Sequence, residues 1–495
     1  MRYYKDIITS LQLSLFALLL LAGCGKADIT VSGTMNQDIL INPDYKDVTI
    51  PPNIAPLNFQ TDVEEPTCLI IEDEQGKGFQ VHAKEGLFDI PMGKWKDLLK
   101  DNKGRNLTLT VCKEQDGVWK SYNPFKLYIT EEEADPYIAY RLLVSCYGQW
   151  NRMGIYQRNI SNYDQTPIYE NSLTDYNCIN CHSFPNQDPN KLFFHMRAKS
   201  AGTVLIQDGN VQKLNTATPE TMSALVYPYW HPSGNFLTTS VNKTFQSFFY
   251  HHENTLEVYD TDSDVVVYDV ERQEIFSSPA LKADSIFESF PTFSPDGRSL
   301  YFLTARAKQM PAEYKDLRYS LCRIDFDPET RSFGQQVDTL FNAEKEQMSV
   351  SFPRISPDGK LLVFGMQEFG NFSAWHKDCD LYCLRLSDGK IYPLTAANSD
   401  ESESYHSWSS NSRWMVFSSR RMDGLFTRTY FTYIDADGVA HKPFLLPQKN
   451  PVQYYDDLLL AYNLPEFIKG KVEVNPHKIA TVMRNTEGVN LTYRK

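Results

Sequence analysis

The chain has 495 residues, of which 42% are hydrophobic and 13% aromatic, and carries a formal net charge of −13. That composition excludes a disordered chain, and the length excludes one ordinary domain unless it is a repeat fold or a barrel. The acidic balance, with no basic patch, excludes nucleic acid as a partner.

Residues 1–23 read as a signal peptide. Arg2 and Lys5 precede the apolar run Leu15 to Leu21, which is too short to span a membrane with these flanks. The ending Ala22-Gly23-Cys24-Gly25 resembles the lipobox of bacterial lipoproteins. That resemblance implies cleavage before Cys24, a diacylglycerol on its sulfur, and anchoring in the cell envelope of a Gram-negative bacterium, periplasmic or surface-exposed. The alternative is an ordinary secretory signal with an incidental cysteine. Residues 24–44 lack periodicity and read as a tether.

Residues 45–130 hold short strand-like runs, among them Thr67 to Ile71, Gly78 to His82, Leu107 to Val111 and Lys126 to Ile129, with turn signals at Gly76 and Asp116-Gly117. They predict a small β-sandwich-like domain acting as a membrane-proximal spacer. Cys68 and Cys112 are candidates for a disulfide there, with buried free thiols as the alternative. Cys379 and Cys383 lie too far apart along one strand to bond to each other.

From about 131 to 450 the chain is repetitive. Phe290-Pro291-Thr292-Phe293-Ser294-Pro295-Asp296-Gly297 recurs at Phe352 to Gly359, with weaker copies at Tyr227 to Gly234 and Tyr405 to Ser412. Each copy is a strand, a tight turn and a second strand, with Pro and Gly supplying the turn dihedrals. Recurrence about every sixty residues predicts the blades of a β-propeller. A further copy is read at Phe184-Pro185-Asn186, aligned with Phe290-Pro291, and Tyr137 to Val144 with Gly154 to Ile160 supply strands of another blade. The fold expected is all-β, a six- or seven-bladed propeller after the sandwich. Residues 451–495 complete or cap it, with a short helix near Asp457 to Tyr462 and a strand at Lys478 to Met483. The repeat resembles the TolB-type propeller, which implies fold rather than function. No Gly-x-Ser-x-Gly elbow occurs, so a hydrolase annex is not expected and the reading leans away from an enzyme.

Cys178-Ile179-Asn180-Cys181-His182 matches the c-type haem attachment pattern, in which two sulfurs join the porphyrin and the histidine ligates iron. The pattern predicts one haem c held by Cys178 and Cys181, with His182 proximal and Met196 the candidate distal ligand. Strand alternation lets only one of His195 and Met196 face the iron. Met222, Met348 and His406 are remoter candidates, and Met196 as core filler is the competing assignment. The haem reading makes the chain a membrane-anchored electron carrier or redox sensor with an envelope protein partner. Two others stand beside it: zinc held by Cys178, Cys181 and His182 with His406, Glu288 or Glu403, and a non-haem binding or scaffold propeller of an envelope complex in which Cys178 and Cys181 are structural, as a disulfide or thiols.

Overall fold

The computed structural model describes residues 28–145, 152–249 and 254–494; Cys24, Cys146, His251 and His252 lie outside them. Six sheets form a six-bladed β-propeller whose innermost strands pack on one another in sequence around a central axis. Blade II comprises Ile179–Ser183, Lys191–Met196, Gly202–Gln207 and Asn210–Asn215; blades III to VI begin at Val226–Trp230, Ile286–Phe293, Ser349–Ile355 and Glu403–Trp408.

Blade I is built from both ends of the propeller sequence. Tyr137–Val144, Met153–Asn159 and Gln165–Glu170 supply its three outer strands, and Leu460–Ile468 is its innermost. The closing strand pairs antiparallel with Tyr137–Val144, its Tyr462 ring 4.7 Å from that of Tyr140. It therefore joins the ends without a covalent link.

The repeat motif works as its turn chemistry dictates. Ser294 Oγ donates to Asp296 Oδ1 at 2.5 Å and accepts from Ser299 N, while Gly297 N donates to Ser294 O at 2.9 Å. Gly297 adopts φ +72° and an added Cβ would lie 2.1 Å from His231 Nε2, so turn conformation and close approach both require glycine. Ser356, Asp358 and Gly359 repeat the arrangement in blade V.

The C-terminal segment differs from expectation. The helix is Pro451–Asp457, capped by Asn450, and residues 460–468 are strand; conversely Pro476–Asn485, expected as strand, is a helix. Asn475 caps it through His477 N, Pro476 sits in its first turn, and Ile479, Ala480 and Met483 share its buried face. Beyond it Val489–Asn490 pairs with the outer strand of blade II and Thr492–Tyr493 with that of blade III, strapping two exposed edges.

The N-terminal domain is one seven-stranded sheet, not two facing sheets as expected of a sandwich. Its second layer is the helix Met92–Asp101, burying Trp95, Leu98 and Leu99, with the two-stranded ribbon of Phe59–Gln60 and Leu87–Phe88. Trp95 Nε1 donates to Ile54 O, which seats the helix. The domain shares a hydrophobic core with blades V and VI, and Asp135 accepts hydrogen bonds from Ser410 N and Oγ. It is docked on the propeller. Cys68 and Cys112 sit directly opposite across paired strands, with the Cys68 thiol directed to Gln80 Oε1 at 3.8 Å. Among the described residues no helix is long and apolar enough to cross a membrane.

Candidate binding site at the channel mouth

Every innermost strand is interrupted at the same place. Cys181, Tyr227, Phe290, Phe352, Tyr405 and Leu464, one per blade, have φ between +46° and +58°, and a register shift brackets each. These are bulges that aim one side chain per blade at the axis. The rings meet there: Tyr227 and Phe290 centroids are 4.2 Å apart, Phe290 and Phe352 5.8 Å, Phe352 and Tyr405 5.2 Å. Four aromatics thus plug most of the channel.

Cys181-His182 occupies the position of Phe290-Pro291. The alignment expected from Phe184-Pro185 is therefore three residues out of register, and Phe184 matches Phe293 and Trp408 instead. Blades II and I carry Cys181 and Leu464 where the others carry aromatics. The plug is breached on that side.

The same bulge separates the three residues of the haem motif. Cys178 packs with Met153, Ile155 and Met196 in the core between blades I and II. Cys181 faces the axis. His182 is wedged between inner strands, its side chain 0% exposed, with Nε2 3.6 Å from Glu466 Oε2 and neither ring nitrogen hydrogen-bonded. Burial, aided by the charge of Arg141, pushes the imidazole down to about 3, and burial lifts Glu466 to about 8. Both are neutral at pH 7, so the contact is not an ion pair.

A porphyrin joined to both sulfurs and ligated by His182 needs all three side chains on one macrocycle. Here Cys178 and Cys181 both line a cavity at the channel mouth, whereas the His182 ring is fully buried between inner strands beside Glu466, so the three are not presented together. Met196, expected as distal ligand, is fully buried in the blade core. His195, on the opposite face as alternation requires, is held by Thr203 Oγ1 at 3.0 Å. Met222 and Met348 pack against apolar clusters, and His406 Nε2 meets Val363 O at 2.8 Å. Glu403 is engaged by Ser399, Ser419 and Arg421, while Glu288 is raised by burial to about 9. Zinc fares no better: among the described residues no three His, Cys, Asp or Glu side chains converge. Cys178 and Cys181 are free thiols.

What the breach creates is a cavity of about 120 Å³. Arg141, Cys181, Arg197, Tyr227, Tyr405 and Leu464 define it, with Asn242, Thr244, Gln246 and Val258 from a long hairpin of blade III. That hairpin, Phe236–Phe248 with Leu256–Asp269, runs well beyond the blade and over the mouth. The sequence disguises it, since Asp260-Thr261-Asp262-Ser263-Asp264, midway along the second strand, has the composition of a turn.

The far side of the hairpin is latched to blades IV and V. Tyr259 stacks on Tyr314 at 5.7 Å, and Asp260 accepts hydrogen bonds from Asn242 at 2.8 Å, Tyr319 at 3.1 Å and Asn371 at 3.0 Å. Glu257 Oε2 lies 3.0 Å from His376 Nε2, both buried, and Asp378 is 3.7 Å from Nδ1. Burial alone would depress His376, but Asp378 and Glu257 outweigh it and lift it to about 9. A raised value means the protonated form is tighter in the folded state. The latch is complete below the free-imidazole value near 6.5 and is lost as pH rises through 9. Hydrogen exchange, corrected for intrinsic rate, should show the hairpin amides losing protection between pH 7.5 and 10; a His376→Gln protein should show weak protection at both.

No known family's sequence profile matches the chain, and no curated protein does. Solved structures similar to it include prolyl oligopeptidase B of Galerina marginata, at 10% identity and a TM-score of 0.35, covering 63% of this chain and 44% of that one. The β-propeller domain of the Trilobed protease from Pyrococcus furiosus matches at 10% identity and 0.34, over 70% and 96% of the two chains. A DUF4784 family protein from Bacteroides caccae matches at 8% identity and 0.29, over 75% and 97%.

Proposed function

We propose that the protein is an exported, lipid-anchored propeller of the bacterial envelope that binds a small ligand, or the end of a larger one, at the breached mouth of its channel. The observation that carries this reading is the gap at Cys181 and Leu464 in an otherwise aromatic ring, roofed by a latched hairpin. Anchoring through Cys24 rests on residues 15–25, and an envelope protein partner fits a docked N-terminal domain that orients the propeller relative to its anchor. In this reading Cys178 and Cys181 are structural: one fills a blade core, the other keeps the ring open.

Phenylalanine already adopts the bulge conformation at positions 290 and 352, so Leu464→Phe should close the breach without strain. Thermal shift against a panel of small acids, alcohols, sugars and aromatics should find members that stabilise the native protein and not Leu464→Phe. A panel without effect, or one acting equally on both proteins, would overturn the reading.

Haem is tested separately. Protein produced in a host with cytochrome c maturation should give no covalent haem band in a pyridine haemochrome spectrum. A stoichiometric band would restore the electron-transfer assignment.

A further inference from the structure

The mouth cavity is charged against the grain of the molecule. The chain has 62 Asp and Glu against 49 Lys and Arg, yet the cavity is lined by Arg141 and Arg197 and, among the described residues, by no carboxylate.

Arg141 is 7% exposed, and its partners are all neutral: Nη1 donates to Ile179 O at 3.0 Å and to Asn180 Oδ1, and Nη2 to Asn463 Oδ1 at 2.8 Å. Its Nε has no partner. A buried guanidinium held by three neutral acceptors is positioned but not neutralised. Arg197 is exposed at the rim, with its backbone N fixed to Cys178 O at 2.9 Å, and forms no ion pair among the described residues. Asp260 on the hairpin is turned to Asn242, Tyr319 and Asn371, and burial favours its neutral form. Among the described residues, the cavity lining therefore carries positive charge in a protein that is otherwise acidic.

The rest of the wall is mixed. Leu143, Val226, Val258, Phe372 and Leu464 are apolar, Tyr227 and Tyr405 add two rings, and Asn180, Asn242, Thr244, Gln246 and Asn463 add polar groups. A partly open space of about 120 Å³ takes a group of roughly the size of a benzene ring, since cavities near 150 Å³ hold one. Two arginines beside a partly apolar wall match a carboxylate on a compact, largely apolar body.

We infer that the mouth binds such a carboxylate, Arg197 and Arg141 receiving the anion and the apolar wall its body. This rests on the binding reading above. The same chemistry is carried by a free organic acid and by the C-terminal residue of a peptide. The full chain is titrated calorimetrically with benzoate and benzamide, and with a hexapeptide ending in phenylalanine as free acid and as C-terminal amide.

The acids should bind and their amides should not, and Arg197→Gln, exposed and so neutral to folding, should weaken binding about tenfold, the loss of one charge-assisted contact. Benzoate binding points to a free acid, and binding by the peptide acid alone points to a chain terminus; either supports the inference. Amides binding as well as acids, or an unchanged Arg197→Gln protein, would overturn the carboxylate assignment and leave the cavity as a site for neutral ligands. If none of the four probes binds, the carboxylate assignment falls; Leu464→Phe in the wider panel then decides whether the binding reading falls with it.

Discussion

A chain ending at Leu458 should yield no cooperatively folding protein, whereas one ending at Lys471 should fold with a lowered Tm. The first deletion removes the innermost strand of blade I. Tyr140, Leu142 and Arg141 lose Tyr462 and Asn463, and Phe431 of blade VI loses Phe467, 5.8 Å away. One edge of the ring then presents a row of unpaired backbone groups and a bared core. The second deletion keeps the closing strand and removes the helix Pro476–Asn485, the edge strap and Val472, whose backbone pairs with the buried Gln157 amide. Thermal denaturation followed by circular dichroism, with gel filtration, separates the two. A soluble, cooperative protein ending at Leu458 would show that the ring does not depend on its closure.

Arg428→Met should destabilise the protein by on the order of 3 kcal/mol without touching the cavity. Arg428 is 1% exposed. Its guanidinium donates to Leu460 O at 2.8 Å and to Tyr455 O and Leu458 O, both at 3.1 Å. These are the last carbonyls of the helix Pro451–Asp457 and the first of the closing strand. Methionine fills similar space but leaves two buried acceptors and one half-buried one without donors, each costing about 1 kcal/mol or more. Because the site governs how the closing strand enters the ring, unfolding should also be faster. Urea denaturation and unfolding kinetics measure both effects, and a loss below about 0.5 kcal/mol would mean that water replaces the guanidinium.

Among the functional residues, Cys181 shows how much a local motif leaves open. Two cysteines and a histidine at this spacing select a haem reading because in a helix or loop all three converge. On an inner strand the left-handed residue at Cys181 breaks alternation, leaving Cys178 and Cys181 at one cavity and His182 buried between strands. The clue was present as the repeat itself: Cys181-His182 stands where Phe290-Pro291 and Phe352-Pro353 stand. It was hidden because neither cysteine nor histidine resembles an aromatic followed by proline. Arg141 and Arg197 were illegible for another reason. They lie on neighbouring blades, and only the closed ring places both at one mouth.

What the sequence determined by itself is the propeller: the Ser-Pro-Asp-Gly turns, each closed by bonds between residues at most five apart, and the apolar strands that follow them. Such features are local and repeat, so pattern suffices to find them. Tertiary structure alone decided the count of six blades, the helix in place of a strand at Pro476–Asn485, and the single-sheet architecture of the N-terminal domain. Each of these depends on which distant surface a segment is packed against. The closing strand pairs with residues more than three hundred positions away, and the breach in the aromatic ring exists only because six strands meet on one axis.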